Sequence, residues 1–182
     1  MAAAAGLAVA GNLIASDRVT IQRAGSSGTM TVTGEIEDYT ARRLTIRVQD
    51  AAIRQSYAPD EILDIDTHRS EEHQRGLEEL AAGNHLAAEP LLAAAIEKDV
   101  RRWVQQDLLA DLVRCAARRG DRRAAGEYFA RMIVQEPSSR HWSVSPLIWA
   151  PEEINRDLRT AAVEWLASRE VGVRLVGASI LL

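Results

Sequence analysis

Two short stretches, LAAGNH at residues 80–85 and ARRGDR at residues 117–122, each set a glycine between Ala/Leu-rich helical runs, and the glycines Gly83 and Gly120 stand 37 residues apart. Laid in that register, Asn84 falls on Asp121, Ala88 on Ala125, Leu92 on Phe129, Ala95 on Met132 and Asp99 on Glu136. Small, large apolar and acidic positions recur at one offset, which marks a single unit used twice. Such units stack, each covering the apolar face of its neighbour. Ser70 followed by Glu71 and Glu72 supplies the start, a hydroxyl cap with acids in the first helical turn. Helical patterning then runs from about residue 70 to residue 182.

The unit resembles the tetratricopeptide repeat, a helix–turn–helix of about 34 residues. GDRRAAGEYFARMIVQEP matches through Gly120, Asp121, Ala125, Phe129 and Pro137; GNHLAAEPLLAAAIEKD matches through Gly83, Ala88, Leu92 and Ala95, with Gly76 at the small position of the preceding helix. The resemblance covers residues 71–137 and implies an α-solenoid that binds proteins or peptides. Its three extra residues per period are assigned to the linker VRRWVQQ. Val113 replaces the small residue in the second unit, and Pro90 inside the first unit's second helix predicts a kink. Members that clamp a peptide's terminal carboxylate use basic residues and Asn at places that here hold His73, Leu77, Ala110 and Arg114. Only Arg114 suits that role.

Residues 17–67 have another grammar. DRVTIQR, TMTVTGEIED, RLTIRV, AAIRQSYAP and DEILDID alternate apolar and polar residues as half-buried strands do, with Leu63 and Ile65 set opposite Asp64 and Asp66 in the last. Five short strands predict a small barrel, and Gly34 within the longest fits a bend. VTGEI, residues 32–36, resembles the bent second strand of the Sm-like and SH3-like barrels. The resemblance implies a fold but no RNA site, because the base-reading positions fall near Thr40 or Ala41 and at Leu44. Tyr39 and Tyr57 are the module's only aromatics, so a stacking platform for bases is lacking.

The final third opens with the long connection EPSSRHWSVSPLIWAPEE, whose Trp142, Leu147, Ile148 and Trp149 are expected to fold back on the helices. Pro151, Glu152 and Glu153 predict a helix start, with a buried stripe of Ala161, Ala162, Trp165 and Leu166 ending near Ser168. VGVRLVGASILL makes a last helix. AAVEWL and VRLVGASILL together resemble a HEAT-type hairpin. The end at Ile180, Leu181 and Leu182 is apolar, where a repeat array normally carries a polar cap, so this edge is expected to pack back or meet a partner.

Few residues point to chemistry. Net charge is −4, so no overall field draws the chain to nucleic acid or an acidic membrane. The lone cysteine, Cys115, shares a helical stripe with Leu108 and Leu112 and reads as a buried core thiol. DEILDID holds four acids within seven residues but lacks the glycine turn of a calcium loop. His68 and His73, five residues apart, cannot share a helix face, so neither a metal nor a cofactor is implied. RCAARRGDRR places five arginines in ten residues. Arg118 and Arg119 suit a helix C-terminus, whereas Arg122 and Arg123 oppose the dipole of the helix they begin. Arg114, Arg118, Arg122 and Arg123 are therefore the candidate partner-binding residues.

In the leader 1–16, residues 2–16 carry no charge, and Ala8-Val9-Ala10 offers a small-x-small cleavage site, although the usual basic start is missing. Read as a clipped signal, the segment predicts export to the periplasm or cell envelope. Read as an Ala-rich disordered leader, it leaves the chain in the cytoplasm. Neither reading provides a membrane span.

The expectation is an α+β protein: a small SH3-like barrel over 17–67, then a TPR-like solenoid with a terminal HEAT-like pair over 70–182. Its expected function is non-catalytic protein–protein interaction or scaffolding. The alternative is a nucleic-acid-associated factor using the barrel and the arginines from Arg114 to Arg123. A pocket gathering His141, Trp142 and acidic residues would be the first sign of an enzyme.

Overall fold

The computed structural model describes residues 16–23, 25, 27–48, 53–148 and 154–182. The leader 1–15, Trp149 and the expected helix start at Pro151, Glu152 and Glu153 lie outside the described residues. Among the described residues, five antiparallel strands are followed by six α-helices.

The strands are β1 (Asp17–Gln22), β2 (Thr29–Tyr39), β3 (Leu44–Val48), β4 (Arg54–Tyr57) and β5 (Ile62–Asp66), hydrogen-bonded in the order β4-β3-β2-β1-β5. Alternation buries Val19 and Ile21, Val32 and Ile36, Leu44 and Ile46 on one face. The register sets Val19 against Val32 and Ile36 against Ile46. Gly34 is needed for a close approach: a Cβ there would run into the Arg47 carbonyl oxygen of β3.

The expected barrel is not found, because the sheet is not closed. β4 and β5 form its opposite edges, and no ladder joins them. Alternation specifies which face a strand buries, but not whether the last strand meets the first. The last strand also departs from strict alternation. A bulge pairs Thr20 with Asp64 and then Ile21 with Ile62, leaving Leu63 unpaired and 53% exposed, while Ile62 and Ile65 pack inward.

The helices are α1 (Glu71–Ala81), α2 (His85–Lys98), α3 (Arg102–Arg118), α4 (Arg122–Gln135), α5 (Arg156–Leu166) and α6 (Val171–Leu181). Ser70 caps α1 by accepting from the His73 amide. The repeated unit is visible as two hairpins, α1–α2 and α3–α4. Gly83 and Gly120 both take positive φ, 79° and 74°. In the first turn Gly83 N donates to Leu80 O and Asn84 N to Glu79 O; in the second, Gly120 N donates to Ala117 O and Asp121 N to Ala116 O. These are the same two bonds of a helix stop, 37 residues apart. Ala88 and Ala125, Leu92 and Phe129, Ala95 and Met132 are all buried. Gly76 lets Leu92 approach, since a Cβ there would lie 2.7 Å from a Leu92 methyl.

VRRWVQQ is linker only in part: Val100 and Arg101 lie between the helices, whereas α3 begins at Arg102 and buries Trp103, Val104 and Gln106. α2 continues through Pro90 to Lys98. Pro90 removes a bond to the carbonyl of the exposed Leu86, where the loss is least costly.

The third hairpin, α5–α6, packs on α4. α5 starts at Arg156, with Asn155 accepting from the Leu158 amide at 2.8 Å. Its stripe is Leu158, Ala161, Ala162 and Trp165; Leu166, expected in that stripe, is exposed instead. Trp142 lies edge-on to Phe129 and against Gly172, while Leu147 and Ile148 pack on the core, so the connection does fold back. At the chain's apolar end Ile180 is buried and Leu182 exposed.

Candidate functional site

Helical spacing places Asp107, Asp111, Arg114 and Arg118 along one stripe of α3. The acidic half is capped by the connection after α4. His141 Nε2 stands 2.6 Å from Asp107 Oδ1, Arg140 pairs with the same oxygen, and the Arg140 guanidinium lies 4.0 Å from the centre of the Tyr39 ring. On the next turn Arg114 bonds to Asp111. Burial pushes the Asp111 carboxyl above its ordinary value despite that arginine, and Asp107 adds to the upward push.

The basic half opens into a cavity of about 430 Å³. Its walls come from four elements: Leu80 of α1, His85 of α2, Val113, Arg114, Ala117 and Arg118 of α3, and Ser143 and Val144 of the 3₁₀ turn Trp142–Val144. Arg118 and Ser143 make no hydrogen bond or ion pair among the described residues. His85 Nδ1 is buried and has no partner there either.

The four candidate arginines therefore separate. Arg114 and Arg118 line the cavity. Arg122 and Arg123 sit on the first turn of α4, where Arg123 bonds to Glu127 at 2.8 Å. The neighbouring Arg119 pairs with Glu89 and lies near Asp121. Of the positions matching a terminal-carboxylate clamp, His73 and Ala110 are buried and Arg114 alone faces the cavity. His85 and Ser143 were missed because they belong to other elements and have no recognisable spacing to Arg118.

The remaining candidates are placed as follows. Cys115 is buried, and burial first, then Asp111 and Glu89, push its thiol up to about 11. His68 precedes α1 and His73 is inside it. Among the described residues no cluster of His, Cys, Asp and Glu could hold a metal ion. No described helix is long and apolar enough to cross a membrane. His141 does meet an acid, Asp107, but Arg140 shares that acid and Trp142 turns to Phe129.

No family model, curated protein or solved structure matches this chain.

Proposed function

We propose that this chain is a non-catalytic binding protein that takes an extended segment of a protein partner on the face shared by its first two helical hairpins. The carrying observation is the cavity, whose walls come from both hairpins and the connection that crosses them. Leu80, Val113, Ala117 and Val144 offer apolar contact, and Arg114 and Arg118 offer charge, the mixed lining suited to a peptide. The TPR-like grammar of residues 71–137 supports the reading, as does the recurrence of the same turn hydrogen bonds in both units. The open five-stranded sheet is proposed as a rigid neighbour of that face.

The nucleic-acid alternative draws on the same arginines. Arg114, Arg119 and Arg123 are each held by a carboxylate, which weakens a backbone-phosphate footprint.

The test fills the cavity. Ala117 is exposed on its wall, so Ala117→Trp adds bulk there without overpacking the core. Retention of a degenerate octapeptide pool by immobilised wild-type protein should fall about tenfold or more in the variant, as for a blocked central contact, with the melting temperature unchanged. Equal retention by both proteins would overturn the proposal.

A further inference from the structure

Arg118, His85 and Ser143 share the cavity, come from three different elements, and lack any partner among the described residues. We infer that the cavity holds a phosphoryl group carried on a serine or threonine of the bound partner segment, contacted by the Arg118 guanidinium, the His85 ring and the Ser143 hydroxyl. This inference rests on the peptide-binding reading above.

Buried polar atoms are almost always bonded in native proteins, so the orphaned Nδ1 of His85 marks a place where a bond is missing. Arg118 differs in being exposed on the cavity wall, open to a ligand. Its neighbours in the arginine cluster, Arg114, Arg119 and Arg123, have carboxylates; Arg118 does not. Group geometry then selects the ligand. A carboxylate has two coplanar oxygens, which one guanidinium fork satisfies, leaving the imidazole and the hydroxyl unmatched. A phosphomonoester has three terminal oxygens and a charge between −1 and −2 near neutrality, which suits three donors arriving from three sides. The His85 ring lines the cavity, and a neutral imidazole donates from whichever ring nitrogen carries its proton. Arg114, one turn before Arg118, lies on the same wall. Leu80, also in the lining, receives the residues flanking the phosphorylated one.

The experiment compares octapeptide pools with a fixed central phosphoserine, serine or glutamate on the full chain, with inorganic phosphate as competitor at constant ionic strength. The phosphoserine pool should bind about tenfold tighter than the serine pool, the scale of a charge-assisted contact. Arg118→Gln should erase that preference, bringing the phosphoserine pool down to the serine pool on the same variant with the melting temperature unchanged, and His85→Ala should reduce it. Three results would overturn the inference: equal binding of the phosphoserine and serine pools, equal binding of the glutamate pool, or a preference that survives Arg118→Gln. Displacement by inorganic phosphate at the same concentration as the phosphopeptide would also overturn it, by marking a site for a free anion. If the pools bind equally and Ala117→Trp abolishes that binding, only the phosphoryl assignment falls. If no pool binds, the peptide-binding reading falls with it.

Discussion

His73 lies in the first turn of α1 with only 4% of its surface exposed, and its Nδ1 has no hydrogen-bond partner among the described residues. Burial holds its pKa below the ordinary 6.5, Arg69 and Arg101 push the same way, and Asp107 and Asp99 oppose them. A base with a lowered pKa in the folded chain binds protons more readily when unfolded. Its contribution to stability is therefore complete above pH 6.5 and is lost as the pH falls from 6.5 toward the folded value. The urea midpoint should drop across that range in the wild type, and His73→Gln should flatten that part of the profile. Identical pH profiles for the two proteins would show that another group carries the dependence. The sequence could exclude His73 as a metal partner of His68 by spacing alone. It could not show that the ring is buried among charges from the α2–α3 connection and from α3, since those residues are 26 to 34 positions away.

At the scale of elements, most of the helical half was legible because caps and 3.6-residue periodicity are local. Ser70, Gly83 and Gly120 do what their residue types imply. The two hairpin turns nonetheless differ in one respect. Asp121 accepts from the Ala124 amide at 3.0 Å and so caps α4, whereas the Asn84 amide turns to Glu79 and leaves the first amides of α2 uncapped. Asp121→Ala should cost about 1 kcal/mol and Asn84→Ala only a few tenths, read as shifts in thermal unfolding. Equal losses would mean the caps are equivalent in solution. The errors also have local causes. In β5 a one-residue bulge moves Leu63 out and Ile62 in, and nothing in DEILDID announces it.

At the scale of the whole molecule, the sheet is held to the helices by polar joints. Asp17, 3% exposed, accepts from the Ile36 amide and from the Thr67 hydroxyl. Arg101 reaches Thr67 at 2.6 Å, the His68 carbonyl at 2.6 Å and Asp99 at 2.6 Å, and lies 3.5 Å from Asp17. Although burial alone would raise it, the Asp99 carboxyl is held below its usual value by the Arg101 hydrogen bonds and charge. A second joint sets Arg140 over Tyr39 and bonds the Ala41 amide to the Ser138 carbonyl. Removing one partner leaves a buried charge uncompensated, so Arg101→Ala should destabilise by about 3 kcal/mol in chemical denaturation. A loss under about 1 kcal/mol, the level of a surface pair, would show that the joint contributes little.

The sequence by itself determined the α+β division near residue 70, the repeated hairpin, the apolar faces and the turn glycines. Each of these rests on residues within a turn or two of one another, where backbone geometry makes the pattern readable. Only the tertiary structure decided that the sheet stays open, that Arg118 and Arg123 part company, and that His85 and Ser143 join Arg118 at one cavity. Those outcomes depend on groups brought together from separate elements. Side-chain contacts across such distances follow from how the elements pack, which no local period records.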